Sequence, residues 1–182
     1  TNGTLRNCWI VGNLATNGAY GAGAIVFSNG VLDTCEFRAN RTPAAGSYGG
    51  GVYFYYGGLA TNCIFATNSA GYGGAAWFEY GGTIAGGVMS ANTATNLGGA
   101  AYMNYYGRIL NCQIVSNNVT VSHGGGISFN QGGLCANSTL RGNRAQNQGG
   151  GFYTSYGGIV TNCLVVSNFS VSYGGGGYMY YG

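Results

Sequence analysis

Gly50-Gly51-Val52-Tyr53-Phe54-Tyr55-Tyr56-Gly57-Gly58 runs into Leu59-Ala60-Thr61-Asn62-Cys63-Ile64-Phe65-Ala66-Thr67-Asn68, and the whole architecture follows from it. Its period is two rather than 3.6. Val52 and Phe54 face one way, Tyr53 and Tyr55 the other. Tyr56-Gly57-Gly58 reads as a turn. A second strand carries Cys63 and Phe65 on one face, and Asn68 closes the unit.

The unit recurs along the whole chain. An apolar-x-x-Asn motif ends at Asn13, Asn40, Asn68, Asn92, Asn117, Asn143 and Asn168, with steps of 27, 28, 24, 25, 26 and 25 residues. A small-residue cluster precedes each alternating strand, as at Gly23-Ala24-Ile25, Gly74-Ala75-Ala76, Gly99-Ala100-Ala101 and Gly150-Gly151-Phe152. From the aromatic column to the Asn is 15 residues in five repeats, from Tyr53 to Asn68 through Tyr153 to Asn168. The length after the Asn varies, so insertions fall in one loop. A period of 24–28 residues is too short for helix-pair repeats, which need about 33 or more. The expected fold is all-β: a right-handed, single-stranded parallel β-helix of about seven coils, each of two or three short strands. At about 4.8 Å per coil, the rod is roughly 34 Å long.

Composition agrees. Among 182 residues only 6 are Lys or Arg and 3 are Asp or Glu, or 5% charged, against about 25% in ordinary domains. The 38 glycines lack a three-residue period, which excludes collagen. Six scattered arginines make no nucleic-acid-binding patch. No apolar window reaches the roughly 20 residues of a transmembrane helix. Like charges stacked a coil apart repel, so the architecture itself selects against charge.

The inward pairs expected of the first strand are Val52/Phe54 and its equivalents, including Ile25/Phe27. The outward column is Val26, Tyr53, Trp77, Tyr102, Ser128, Tyr153 and Tyr178. Tyr53, Trp77, Tyr102, Tyr153 and Tyr178 form an aromatic stripe read as an interaction face, because extended apolar surface marks interfaces. The seven Asn residues are read as a structural ladder of stacked amides, with Asn tolerating the left-handed backbone of a corner. A second Asn column is Asn7, Asn62, Asn111, Asn137 and Asn162.

Gly73-Gly74-Ala75-Ala76 with Phe65-Ala66-Thr67-Asn68, and Gly23-Ala24-Ile25 with Phe37-Arg38-Ala39-Asn40, resemble the repeats of polymorphic outer-membrane proteins and related autotransporter passengers. That resemblance implies an extracellular bacterial β-helix serving as an adhesin or surface stalk. No membrane-embedded barrel accompanies the repeats.

Chemistry is sparsely represented. Cys8, Cys35, Cys63, Cys112 and Cys163 share one inward column and are expected to be free thiols packed as small apolar groups. No metal site or cofactor is expected, because a column of ligands spaced by a coil does not converge. Asp33 and Glu36, three apart on one strand, face opposite ways; Glu79 lies on a different strand, and His123 sits far from all three. No carboxylate pair or catalytic triad follows. Arg6 pairs with Asp33, and Glu36 shares a face with Arg38. Sequons occur at Asn2, Asn40, Asn118, Asn137 and Asn168, of which Asn118, in the variable loop, is the accessible one.

The expected function is structural, without enzymatic activity: one repeat domain over residues 1–182, uncapped and beginning and ending mid-coil. It is read as a fibre subunit or stalk that self-associates head to tail and through its aromatic stripe. Tyr180-Tyr181-Gly182 joined to Thr1-Asn2-Gly3 through Cys8 nearly reproduces Tyr55-Tyr56-Gly57 through Cys63. The alternative is a glycan-binding adhesin or, more remotely, a polysaccharide-degrading β-helix.

Overall fold

A computed structural model describes residues 3–18 and 20–181. The sequon at Asn2 and the terminal Gly182 lie outside them. The described chain is a parallel β-solenoid of about seven turns, built from strands and turns without helix. A coil has four short strands rather than the two or three expected. In one coil they are Leu59–Thr61, Ile64–Ala66, Ser69–Tyr72 and Ala76–Phe78. Stacking gives three seven-stranded parallel sheets and one five-stranded sheet, the third along the coil.

The extra corner comes from a five-residue step. Asn62 and Thr67 have φ of +53° and +56°, and each turns the chain so that the next residue, Cys63 or Asn68, points inward. The column Asn7, Asn62, Asn111, Asn137 and Asn162 therefore holds left-handed corners (φ +50° to +54°), which Asn accepts at low cost. For the ladder column this corrects the sequence reading. There the left-handed residue is the one before, such as Ala39, Thr67, Ala91 or Ser116, and the Asn is chosen for its side chain.

Each inner ladder Asn, from Asn40 to Asn143, satisfies its amide completely. Asn92 is fully buried. Its Nδ2 donates to Asn117 Oδ1 (3.0 Å) and to the Phe65 carbonyl (2.9 Å), and its backbone N–H donates to Asn117 Oδ1 (2.9 Å). Its own Oδ1 accepts the backbone N–H and Nδ2 of Asn68 at 2.9 and 3.0 Å. The same bonds link Asn13, Asn40, Asn68, Asn92, Asn117, Asn143 and Asn168 in one chain of amides. Beside it run apolar columns with Phe37 stacked on Phe65 (5.0 Å) and Phe54 on Phe78 (5.1 Å).

The first coil differs from expectation by one residue. Ile25 pairs with Tyr53 and Val26 with Phe54, so Val26 is buried while Ile25 and Phe27 are exposed. Glycine explains the slip. Gly21 (φ +52°) matches Gly49 (φ +62°), and a Cβ at Gly49 would stand 2.2 Å from the Val52 carbonyl oxygen. The register is anchored by this left-handed glycine, which neither Gly23 nor Gly51 supplies. With that alignment Ile25 also stands 15 residues before its ladder Asn40.

Two smaller readings change. Asp33 and Glu36 end and begin different strands, Val31–Asp33 and Glu36–Arg38. Asn118 is not in the variable loop but in strand Asn118–Val119, paired with Thr93 and Arg144. Cys135 is also inward, in the column of Ile109 and Val160. All six cysteines are free. Burial pushes the Cys63 thiol up to about 11 and raises those of Cys112 and Cys135, so these remain protonated and unreactive at neutral pH. In the native protein the partly exposed Cys8 and Cys163 should be alkylated well before Cys35, Cys63, Cys112 and Cys135. Peptide mass spectrometry after brief iodoacetamide treatment reads this; equal labelling of all six without denaturant is inconsistent with it.

Candidate functional site: an aromatic bay around Glu79

The loop after the third sheet ends in one column: Tyr20, Tyr48, Tyr72, Leu97, His123, Gln148 and Tyr173. Parallel bridges join Tyr20 to Tyr48, Tyr48 to Tyr72, Tyr72 to Leu97 and Leu97 to His123. A left-handed glycine follows each, as at Gly49, Gly73 and Gly98. The chain thus turns sharply and lays this column over the outward face of the fourth sheet.

That cover corrects the reading of the aromatic stripe. Tyr53, Trp77, Tyr102 and Tyr153 are only 6–8% exposed, and Tyr178 is half-buried. They do point out of the solenoid interior, but Tyr53, Trp77 and Tyr102 enter a second apolar core formed with Tyr48, Tyr72 and Leu97, and Tyr153 stacks between His123 and Tyr178. Trp77 stacks on Tyr102 at 4.4 Å, Tyr48 leans on Trp77 at 4.4 Å, and Tyr20 meets Tyr53 edge-on at 5.0 Å. One step along, at the turn, lies an aromatic column that includes the exposed Tyr56, Tyr80, Tyr156 and Tyr181. Tyr56, Tyr80 and Tyr105 stack at 5.0 and 5.2 Å, and Tyr156 on Tyr181 at 5.2 Å.

His123 occupies the covering column. Its ring stacks on Tyr153 at 4.6 Å and its Nδ1 is buried without a partner. Burial therefore lowers its pKa below the ordinary 6.5. The unfolded chain takes up a proton as pH falls below 6.5, while the folded chain resists it. Stability should be fully present above that value and decline as pH drops toward 5. His123→Leu, which repeats the neighbouring Leu97, should flatten the melting temperature over pH 5–7. An unchanged slope in that variant would show that another group is responsible.

Glu79 sits where the two aromatic layers meet the turn. Its Oε2 accepts the Trp77 indole N–H at 2.7 Å and the Tyr53 hydroxyl at 3.3 Å. Its Oε1 accepts Asn104 Nδ2 at 3.0 Å, and Asn104 Oδ1 in turn accepts Asn130 Nδ2 at 2.9 Å. The other two acids are engaged with cations: Arg6 Nε donates to Asp33 at 2.8 Å, and Arg38 pairs with Glu36. Arg6, then Thr34, hold the Asp33 carboxyl below its usual range. Burial, then the Glu79 charge, push the Tyr53 phenol up. An open bay lined by Tyr20, Tyr48, Tyr53, Tyr55, Trp77, Glu79, Tyr80 and Asn104 results. Sequence reasoning passed over Glu79, because its Tyr53 and Asn104 partners lie 26 and 25 residues away in adjacent coils. The available signal was one carboxylate in a column otherwise filled by Phe27, Tyr55, Asn104, Asn130, Ser155 and Tyr180.

Protein-family models, curated proteins and solved structures show no match to this chain. The repeat resemblance therefore stands at the level of the solenoid fold. Among the described residues, no three His, Cys, Asp or Glu side chains gather as metal ligands, and no helix is long and apolar enough to cross a membrane.

Proposed function

We propose that this chain is a structural β-solenoid, a section of an extracellular fibre or stalk that grows by adding coils. The observation that carries this reading is the distribution of exposed apolar side chains. In the outward column of the third sheet, Leu14 and Phe169 are exposed on the first and last described coils. Arg41, Ser69, Thr93, Asn118 and Arg144 stand between them. In the second sheet Trp9 (83% exposed) and Leu164 (59%) end a column whose inner positions mix the polar Glu36, Gln113 and Thr139 with the apolar Ile64 (36%) and Val88. Apolar surface concentrated near the outer coils favours burial against further coils. A repeating set of backbone donors and acceptors from coil to coil supplies the pairing chemistry. The turn tyrosines Tyr56, Tyr80 and Tyr105 are suited to lateral contacts between rods. The extracellular bacterial setting rests on the Gly-Gly-Ala and Phe-x-x-Asn motifs.

Electron microscopy across a concentration series tests it. The expected result is filaments that lengthen with concentration and are lost in the Leu14→Asp/Phe169→Asp variant, with circular dichroism unchanged. Isolated rods of roughly 34 Å at every concentration overturn the fibre reading.

A further inference from the structure

We infer that the bay around Glu79 is a binding site for an organic ammonium group. This goes beyond the structural role, and neither reading depends on the other.

The argument begins with charge. Asp33 and Glu36 each face an arginine, whereas Glu79 meets only neutral donors among the described residues. Trp77, Tyr53 and Asn104 all donate to it. The hydrogen bond from Asn130 Nδ2 to Asn104 Oδ1 continues the same polarity, with a donor end toward the acid. The bay therefore carries one net negative charge.

The geometry of the acid leaves room for a ligand. A carboxylate offers about four acceptor positions. Oε2 has two donors and Oε1 has one, so one position on Oε1 remains. Glu79, Tyr48, Tyr55 and Asn104 are half-buried, and Tyr20 and Tyr80 are exposed. The acid is thus reachable from solvent across aromatic walls.

The walls select the ligand class. Tyr20, Tyr48, Tyr55 and Tyr80 surround the opening, with Tyr53 and Trp77 buried at its base. Aromatic rings grouped with a carboxylate attract cations through the ring quadrupole and reward methyl or methylene groups by apolar contact. A metal ion gains little here, because the bay has one carboxylate and needs several oxygen ligands. A neutral sugar would find rings and amides, but no use for the uncompensated charge. An alkylammonium uses all three features.

Choline and its neutral carbon isostere, 3,3-dimethylbutan-1-ol, separate charge from shape. We expect choline titration to shift the Trp77 indole N–H resonance saturably. The neutral alcohol should bind at least about tenfold more weakly, and added salt should weaken choline alone. Glu79→Gln should lower choline affinity about tenfold. Tyr80→Leu, which alters an exposed wall and not the buried core, should lower it several-fold while leaving the fold intact by circular dichroism. Equal binding of choline and the alcohol, unchanged affinity in both variants, binding of cellobiose but not choline, or no binding by any probe would each overturn the proposal.

Discussion

Asn92→Ala should destabilise the protein by about 4 kcal/mol, several times the effect of the same change at Asn13. The substitution removes one amide from the centre of the ladder. The backbone N–H and Nδ2 of Asn68 both lose their acceptor, and the Phe65 carbonyl loses its donor. All of these groups are buried with Asn68 and Phe65 at 0% exposure, where water cannot replace the lost partner. An unsatisfied buried polar group costs about 1–3 kcal/mol, and the Asn68 backbone N–H and one Nδ2 hydrogen are both left without an acceptor. Asn13 gives a contrast within one ladder. It only donates to Asn40 Oδ1 and is itself exposed, and after its loss Asn40 Oδ1 still accepts the backbone N–H of residue 13. Urea denaturation of the two variants reads the difference. Equal losses at the two positions would mean that the ladder is incidental to stability.

Trp77→Ala should cost about 3–5 kcal/mol, as expected for a buried aromatic cut back to alanine. Trp77 is 6% exposed and lies between Tyr53 and Tyr102 under Tyr48 and Tyr72. Its removal opens the second core and also takes the shortest hydrogen bond from Glu79. Trp77→Phe separates these effects, because it keeps most of the ring and loses only the indole N–H. It should cost roughly 1–2 kcal/mol. Thermal melts of both variants test this. If Trp77→Ala melts with the parent protein, the aromatic layer is a surface decoration and not a core.

The two predictions concern features of unequal legibility. The ladder could be read from residue order. Asn recurs at one offset from an apolar residue, and a polar side chain repeated at an inward corner has few other uses. The aromatic layer was half legible. Period-two alternation shows which side of a strand Tyr53 and Trp77 occupy, but not whether another layer covers that side. The cover comes from Tyr20, Tyr48 and Tyr72, which end loops of different lengths. Only the left-handed glycine after each brings them into one column. The slip at Ile25 has the same origin, because four small residues in a row offered two registers. Four strands per coil escaped notice because three-residue strands separated by a single corner look like one strand.

Glu79 marks a further limit. Its functional surroundings are assembled across coils, from residues that no local motif connects. A repeat protein brings residues about 25 apart into contact at about 4.8 Å. Site residues are therefore found by comparing columns, and the exception within a column is the informative member. His123 in the column of Leu97, and Glu79 in the column of Tyr55 and Asn104, are two such exceptions.

Native-state hydrogen exchange at the ladder amides tests most directly whether coil-to-coil amide stacking holds this rod together. The backbone N–H groups of Asn40, Asn68, Asn92 and Asn117 each donate to the next Asn side chain at 2.9–3.0 Å. They should exchange only through global opening, together with the side-chain N–H groups of the same residues, and more slowly than the exposed Asn13. Exchange at Asn68 and Asn92 as fast as at Asn13 would contradict the account.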